Sequence, residues 1–250
     1  MRHITSVQHP IVKHLVKLRQ NRDYRYDQQS VLIEGITLVT EMRSNKQYKR
    51  IVVLDELLIP LGVQAEDILI VNDSVMKKIS GVQTPEGIIA EIAMPQPTSL
   101  EGKHYIIVFD GLNDPGNMGT LLRSALALGW EGAFILEGSC DPFNDKALRA
   151  SRGATFRLPL AWGSWDDLKR LIEINRLTPF VADLEGRDLA DVAATNNILL
   201  ILGNEARGAS ETARQVGQSL TIAMPGDMES LNVGVAGSIM MYALRPNERV

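Results

Sequence analysis

Two segments of the chain, Tyr105–Phe109 and Ile198–Leu202, are unbroken runs of apolar and aromatic residues. A strand with one solvated face alternates apolar and polar side chains, whereas a strand covered on both faces is apolar throughout. Helical patterns separate these runs from other short strands, and this alternation is typical of α/β proteins. We therefore expect the second part of the chain to form a parallel sheet with helices on both faces.

Residues 94–102 mark a change in composition. This stretch combines two prolines, three hydroxyl or amide side chains and a glycine. Such clusters interrupt regular secondary structure and are typical of linkers. We therefore expect a first domain at residues 1–95, a linker at 96–102 and a second domain at 103–250. Strands and helices alternate in the first domain as well, so both domains are expected to be α/β.

Apolar periodicity and breaker residues predict where the individual elements lie. Helices are expected at residues 9–22, 35–45, 56–61, 74–79, 120–128, 145–151, 165–175, 210–216 and 232–244. Strands are expected at residues 31–33, 50–54, 68–71, 87–93, 105–109, 132–136, 156–160, 179–182, 198–202 and 220–224. In open parallel sheets ligands bind beyond the carboxyl ends of the strands. Functional side chains are therefore expected in loops that directly follow strands.

The charges of the 250-residue chain, which sum to −4, are unevenly distributed. Residues 1–50 hold ten Lys or Arg and four Asp or Glu, whereas residues 51–102 hold two and eight. A basic segment on an acidic body is typical of an anion-binding arm, although a solvated helix face has the same composition. Two basic groups are candidates for contacts with an anionic partner: Lys13, Lys17, Arg19, Arg22 and Arg25, and Arg149, Arg152 and Arg157.

Several kinds of site and location are disfavoured by the sequence. The single cysteine, Cys140, cannot form an internal disulfide, and no Cys/His cluster has zinc-site spacing. The apolar runs are too short to cross a bilayer, and residues 1–5 lack the apolar segment of a signal peptide. There is no dinucleotide fingerprint and no nucleophile elbow, and Asn117 stands where a P-loop needs lysine. We therefore expect a cytoplasmic protein with no membrane segment and no metal.

Three glycine-containing loops follow predicted strands and carry polar side chains. The first loop, residues 110–119, precedes a helix whose one charged residue is Arg123. The second loop, residues 203–208, presents Glu205 directly after the most apolar strand. The third loop covers residues 224–232 and leads into the final helix. Their positions after strands predict that all three border one ligand crevice.

Each loop taken alone also has a purely structural interpretation. The alternatives are an ion pair of Arg123 with Asp110 or Asp114, an ion pair of Glu205 with Arg207, and helix capping by Ser230 or Asn232. Any one of these alternatives is reasonable for an isolated loop. The occurrence of three such loops after parallel strands favours a functional site.

The three loops, in this order, resemble the three motifs of the SpoU family of RNA 2′-O-ribose methyltransferases, within the SPOUT class. The matching patterns are Asn117-x-Gly119-x3-Arg123, Gly203-Asn204-Glu205-x2-Gly208, and Ile222-x-Met224-Pro225 followed by Ser230-Leu231-Asn232-Val233 and Ala236. The first 95 residues resemble a substrate-binding domain of the ribosomal-protein L30e type, through the run from Val31 to Gly35 and through Arg25. One departure is Tyr242-Ala243, where many members have Tyr-Glu.

The resemblance implies a fold, a cofactor and a set of site residues. It implies a deep trefoil knot in the second domain, bound S-adenosylmethionine, and a homodimer through the SPOUT domain. The implied catalytic residues are Asn117, Arg123, Glu205, Ser230 and Asn232. The implied cofactor-binding residues are Leu202, Gly203, Asn204, Gly208, Ile222, Met224, Leu231, Val233 and Ala236. For the dimer we expect close approach at Gly234, Ala236, Gly237 and Ser238, with apolar area from Val235, Ile239 and Met240.

The implied activity is S-adenosylmethionine-dependent 2′-O-methylation of a ribose in structured RNA, either ribosomal or transfer RNA. Arg123 is an unsuitable base, since a guanidinium is essentially never deprotonated in proteins. We expect it to bind the adjacent phosphate and orient the hydroxyl. Two alternatives remain open: a SPOUT enzyme that methylates a base nitrogen, and an RNA-binding member without catalytic activity.

Overall fold

A computed structural model of the protein describes residues 1–42, 48–192 and 196–245, which form two compact units. Unit 1 consists of Met1–Pro95 and Phe143–Arg149, and unit 2 of Gln96–Pro142 and the residues from Ala150 onward. The segment Phe143–Arg149 was expected in the second domain. It groups with unit 1, where the Asp145 carboxylate lies 3.7 Å from the Arg19 guanidinium. No helix in the described ranges is long and apolar enough to span a membrane.

The first part of the chain forms a mixed five-stranded sheet with helices. Its elements are β1 (Arg2–Ile4), α1 (Pro10–Gln20), α2 (Arg22–Gln28), β2 (Ser30–Glu34), α3 (Ile36–Met42), β3 (Tyr48–Val53), β4 (Ala65–Val71), α4 (Asp73–Ser80) and β5 (Ile88–Ala93). The strand order is β1-β4-β3-β5-β2. Strands β1, β4 and β3 are parallel, and β5 is antiparallel to both of its neighbours.

The expected elements of this part recur with three differences. Strand β1 and helix α2 were missed, because both are short and neither has a clear apolar periodicity. The helix expected at residues 56–61 is a single 3-10 turn, Glu56–Leu58. Helix α3 reaches Met42, and the rest of the helix expected at residues 35–45 lies outside the described residues.

Helix α1 begins as its sequence predicts, and a buried arginine from α2 caps its C-terminal end. Pro10 occupies the first turn, where its missing N–H has no cost. At the other end the Arg25 guanidinium, 2% exposed, donates to the carbonyl oxygens of Leu18 at 2.7 Å and Arg19 at 2.8 Å. These are carbonyls that the helix itself leaves without a donor. Arg25 is therefore part of the fold of unit 1.

The second part of the chain alternates strands and helices throughout. Its elements are β6 (Tyr105–Phe109), α5 (Pro115–Ala127), β7 (Gly132–Leu136), α6 (Asp145–Ser151), β8 (Leu160–Gly163), α7 (Trp165–Asn175), β9 (Thr178–Asp188), β10 (Ile198–Leu202), α8 (Glu211–Val216), β11 (Gln218–Thr221) and α9 (Val233–Ala243). The strand order is β11-β9-β10-β6-β7-β8, and every pairing is parallel.

The expected parallel sheet with two covered faces is confirmed. Strands β6 and β10 are buried at every residue. Side chains on one face pack with α5 and α9, and those on the other face pack with α7 and α8. After β6 the chain adds β7 and β8 on one side, and then returns to place β10, β9 and β11 on the other. The strand order therefore reverses between β6 and β10, which is where a ligand crevice is expected.

Three expectations about unit 2 were wrong in detail. Helix α5 begins at Pro115, because Asp114 caps its first turn, so Asn117 and Gly119 lie on the helix. Residues 154–156 form a 3-10 turn, and the strand expected at 156–160 begins only at Leu160. Strand β11 ends at Thr221, so that residues 222–224 continue as irregular chain.

The capping role of Arg25 predicts a loss of stability on substitution. Arg25→Met keeps much of the aliphatic volume but removes the donors to two carbonyls. We expect the free energy of unfolding to fall by about 2–4 kcal/mol, since a hydrogen bond to a charged group contributes about 1.5–3 kcal/mol. Urea unfolding measures this change. The exposed Arg22 is the control, and Arg22→Met is expected to change stability by less than about 0.5 kcal/mol. Equal effects of the two substitutions would contradict the capping role.

Candidate active site

The first two loops meet where the strand order reverses. Asp110 directly follows β6, and its backbone N–H donates to the Leu202 carbonyl at the end of β10 at 2.9 Å. The Asp110 carboxylate accepts a hydrogen bond from the Ser210 backbone N–H at 3.1 Å. Asp110 therefore holds the loop after β6 against the loop after β10, and its carboxylate is engaged in that contact.

The Glu205 carboxylate joins the second loop to the start of α5. One oxygen accepts from the Asn113 N–H at 3.0 Å, and the other from the Asp114 N–H at 2.9 Å and the Asn117 amide at 3.2 Å. Partial burial raises the pKa of Glu205, but these donors outweigh it and hold the pKa below its usual value. The expected alternative, an ion pair with Arg207, is absent among the described contacts. Glu205 is therefore an ionised tie between two loops.

Asn117 extends this connection to the third loop. Its amide oxygen accepts a hydrogen bond from the Asn232 side chain at 3.1 Å, while its nitrogen donates to Glu205. The Asn232 oxygen accepts from the backbone N–H groups of Gly234 at 2.9 Å and Val235 at 3.3 Å, and so caps α9. A continuous chain of hydrogen bonds, Glu205–Asn117–Asn232, thus links all three predicted loops.

The shape of the second loop explains its two glycines. Asn204 and Gly208 exchange backbone hydrogen bonds at 2.9 and 2.8 Å, which closes the loop on itself. Gly208 has a φ of +71°, a conformation that favours glycine. A Cβ on Gly203 would collide with the backbone of Gly208 and Ala209. The Asn204 amide also donates to the Gly111 carbonyl at 2.8 Å, which ties this loop to the first.

Two polar side chains of the predicted set have no partner among the residues that the structure describes. Arg123 lies exposed on α5 and forms no hydrogen bond or ion pair with any described residue. Its two expected partners are used elsewhere, Asp110 by Ser210 and Asp114 as the cap of α5. Ser230 is likewise exposed without a hydrogen bond within residues 1–42, 48–192 and 196–245. A guanidinium and a hydroxyl are therefore available for a substrate.

The third loop has the features of a ligand-binding segment. In the described part of the protein, residues 223–231 form no backbone hydrogen bond. Most of these residues are exposed, so their backbone N–H and C=O groups are open to solvent or to a ligand. Met224 is only partly exposed, and Ile222 and Val233 at the two ends pack against the core beneath. This segment therefore suits a ligand that is held through main-chain groups.

The structure places the expected cofactor-binding residues as follows. Leu202, Gly203 and Asn204 are buried at the end of β10, Gly208 is exposed across the loop, and Ile222, Met224, Val233 and Ala236 are half-buried. Leu231 is 37% exposed. These residues belong to the end of β10, the second loop, the irregular chain after β11 and the first turns of α9.

Helices α5 and α9 border an open groove of about 440 Å³. Its lining residues are Asn117, Thr120, Asn232, Gly234, Val235, Ser238, Ile239 and Tyr242. The small residues of α9 were expected to serve a dimer contact, but Gly237 faces inward. A Cβ there would lie 2.6 Å from Leu121 and 2.8 Å from Leu202. Met240, also expected at a dimer surface, is buried in the core.

Sequence reasoning missed two residues that shape the site. Ser139 accepts from the Gly111 N–H at 3.0 Å and donates to the Phe109 carbonyl at 2.9 Å, and no motif indicated this role. Asp114 caps α5, a role that its position before Pro115 does indicate.

Burial, together with Glu205, raises the pKa of Cys140 to about 12, so its thiol stays protonated at neutral pH. Within the described ranges, no three His, Cys, Asp or Glu residues are grouped to hold a metal.

Family models match both parts of the chain. Residues 104–242 match the SpoU rRNA Methylase family, and residues 9–90 match an MRM3-like substrate binding domain. The first match spans all three loops of the site. The second match covers most of the segment that was expected to form the first domain.

Individual relatives agree with these matches. The 23S rRNA (guanosine(2553)-2'-O)-methyltransferase RlmP of Bacillus subtilis is 29% identical over 98% of this chain and 100% of its own length. The 23S rRNA (uridine(2479)-2'-O)-methyltransferase of Streptomyces viridochromogenes is 30% identical over 72% of this chain and 67% of its own. The crystal structure of an AdoMet-bound rRNA methyltransferase from Sinorhizobium meliloti has a TM-score of 0.83 and 27% identity, covering 97% of this chain and 96% of that one. The resemblance seen in the three loops is thereby confirmed, and the chain belongs to the SpoU rRNA methylase family.

Proposed function

We propose that this protein transfers the methyl group of S-adenosylmethionine to the 2′-hydroxyl of a ribose in 23S ribosomal RNA. The observation that carries this proposal is the hydrogen-bonded chain Glu205–Asn117–Asn232, which links the three motifs. Arg123, on the same helix as Asn117, has no partner among the described residues. Ribosomal RNA is favoured over transfer RNA because relatives that align with both parts of the chain are named as 23S rRNA enzymes. A ribosomal RNA substrate also agrees with the cytoplasmic location that we expected.

The residues of the second and third loops fit the cofactor. The main-chain groups of residues 223–231 form no backbone hydrogen bond with any described residue. They supply the N–H donors and C=O acceptors that the polar edge of an adenine and the charged groups of an amino acid require. Half-buried Ile222, Met224 and Val233 offer apolar contact to the planar base. Leu202, Gly203, Asn204, Gly208, Leu231 and Ala236 complete the proposed binding residues. Bound S-adenosylmethionine supplies an electrophilic methyl group on a sulfonium.

We assign a role to each polar residue according to whether it forms hydrogen bonds with other described residues. The ribose hydroxyl passes its proton to solvent water as its oxygen takes the methyl group, because the guanidinium of Arg123 cannot accept a proton. We assign Arg123 to a phosphate next to the target ribose, where paired N–H donors hold the phosphate and orient the hydroxyl. Ser230 and Asn232 lie at the start of α9 and position the ribose. Glu205 and Asn117 keep these elements together through the contacts described above.

The path of the chain after β11 supports the family's knot in this protein. Strand β11 lies at one edge of the sheet, whereas α9 packs against α5, which follows the central strand β6. Residues 222–232 must therefore cross the carboxyl ends of β9 and β10. We propose that this crossing threads the loops there and forms the deep trefoil knot.

A homodimer through the SPOUT domain is the second part of the proposal. Leu231, Val235, Ile239 and Tyr242 are exposed by 37%, 49%, 41% and 57% and lie on or next to α9. The last three line the groove between α5 and α9. Contiguous exposed apolar side chains favour an interface, and one surface on both copies suits two-fold symmetry. Asn117 and Asn232 border the same groove, so a partner would complete the wall of the site.

Methyl transfer to RNA tests the proposed reaction. Wild-type protein, with an unmodified 23S rRNA transcript and S-adenosylmethionine, is expected to produce a 2′-O-methylnucleoside in an alkali-resistant dinucleotide. Arg123→Ala is expected to lower the rate by about 10²–10³-fold while cofactor affinity changes by less than about threefold. Arg123→Lys is also expected to fail, because an ammonium lacks the paired donors.

The control for Arg123 is Arg170→Ala on α7, at a side chain that is 73% exposed. It is expected to retain the wild-type rate. A methylated base in the product would support the alternative activity on a base nitrogen. Cofactor binding without any transfer to rRNA would support an inactive RNA-binding member, and undiminished transfer by Arg123→Ala would remove its assigned role.

Light scattering at micromolar concentration tests the dimer. The wild-type protein is expected at twice the chain mass of 27.6 kDa. Ile239→Asp places a charge on the exposed apolar face of α9 and is expected to shift the protein to the monomer mass. Leu57→Asp is the matched control, since Leu57 is 91% exposed in unit 1. A monomeric wild type, or a dimer unaffected by Ile239→Asp, would contradict this surface as the interface.

A further inference from the structure

A groove of about 370 Å³ lies in unit 1, apart from the one between α5 and α9, and is bordered by α1, the α1–α2 junction and α4. We call it the lysine groove. Its lining residues are Val7, Lys13, Val16, Lys17, Gln20, Asn21 and Lys78. Three of these side chains are cationic and none is anionic, although residues 51–102 are predominantly acidic. The groove is therefore a local concentration of positive charge.

The three lysines are available for an external anion. Lys13, Lys17 and Lys78 are exposed, and none forms an ion pair with a carboxylate in the described part of the chain. Like charges that share a groove repel one another unless an anion lies between them. The side-chain amide nitrogens of Gln20 and Asn21 add hydrogen-bond donors to the groove. The side-chain oxygen of Asn21 already accepts a hydrogen bond from the Tyr24 backbone N–H at 2.7 Å. The groove thus presents mainly hydrogen-bond donors.

Lys17 contacts a partly buried network that leads to a buried carboxylate. Its ammonium lies 4.2 Å from the centre of the Tyr24 ring. The Tyr24 hydroxyl is 2.8 Å from Nδ1 of His14, and Nε2 of His14 is 3.3 Å from the carboxylate of Glu91, which is 2% exposed. The cation–π contact with Tyr24, whose ring is held by His14, restricts the conformations of the Lys17 side chain. Less conformational entropy is therefore lost when Lys17 binds a partner.

The structure also changes which basic residues of the N-terminal arm can meet a partner. Arg25 is buried under α1, and Arg19 is only 16% exposed and faces Asp145 at 3.7 Å. Both were grouped with Lys13 and Lys17 in the sequence. Lys78, which is distant in sequence, takes their place beside the two lysines of α1.

We propose that the lysine groove binds the phosphate backbone of the RNA substrate, so that unit 1 captures RNA without reading its bases. This proposal rests on the proposed function for the identity of the polyanion. Lysine ammonium groups act as point charges on phosphate oxygens and carry no sequence information by themselves. The three lysines together provide up to three phosphate contacts.

The salt dependence of RNA binding tests the groove. The variant Lys13→Gln/Lys17→Gln/Lys78→Gln removes three charges while keeping good helix formers. Its binding to an unmodified 23S rRNA transcript is measured by filter binding between 50 and 200 mM salt. Each lost phosphate contact is expected to lower the slope of log affinity against log salt by about 0.7–0.9. For three contacts we expect a total decrease of about 2.1–2.7, and at least a tenfold loss of affinity at the lowest salt.

A matched variant controls for the change in total charge. Lys77→Gln/Lys146→Gln/Lys169→Gln removes three exposed lysines that do not line the groove, one of them adjacent to Lys78 on α4. This control is expected to bind with the wild-type slope and with affinity within about twofold. In methyl-transfer assays the groove variant is expected to show a raised KM for RNA, an unchanged kcat and unchanged cofactor affinity.

The outcomes separate this inference from the proposed function. If the groove variant binds RNA like the wild type, or if the control loses as much affinity, the groove is not an RNA contact, even where methyl transfer is normal. If RNA binding depends on the groove but the wild type modifies no ribose, the groove stands and the proposed reaction fails.

Discussion

The arrangement of the site depends on one carboxylate. Glu205 stands at the end of the central strand β10 and accepts two backbone N–H groups from the turn before α5 and the side-chain amide of Asn117. Each of these is a charge-assisted hydrogen bond, which is roughly twice as strong as a neutral one. Because Asn117 in turn holds Asn232, the position of α9 is linked to the ionisation of Glu205. This carboxylate therefore has a positioning role between the motifs. Arg123 and Ser230 form no hydrogen bond with any residue in the described ranges.

The sheet makes such a connection possible. In a parallel sheet the loops after all strands lie at one edge, and the reversal between β6 and β10 opens a crevice there. The glycines are placed where backbones approach closely. Gly203 has no room for a Cβ against Gly208, and Gly237 lets α9 lie against Leu121 and Leu202. Gly237 thus serves packing within the protomer, and Val235, Ile239 and Tyr242 remain on the outside of α9.

Much of unit 2 could be predicted from the sequence, because its central elements have strong local patterns. Strands β6, β7 and β10 and helix α7 lie at the predicted residues, as does α6, most of which groups with unit 1. The predicted start of α5 was wrong, because Asp114 and Pro115 begin a helix that continues through Gly116 and Gly119. The link from Asn117 to Glu205 and Asn232 spans 88 and 115 residues, and no local periodicity encodes such pairings. For the same reason, the sequence alone could not predict that Lys78 lies in the same groove as Lys13 and Lys17.

We propose that S-adenosylmethionine binds at the three motifs through the backbone N–H and C=O groups of residues 223–231. Amide hydrogen exchange of the free and cofactor-saturated protein tests it most directly. Without protein hydrogen bonds these amides are expected to exchange rapidly in the free protein, and to slow by at least about tenfold when the cofactor binds. Amides in the lysine groove are expected to be unchanged. Cofactor binding that leaves residues 223–231 unprotected, while protecting another part of the chain, would contradict the account.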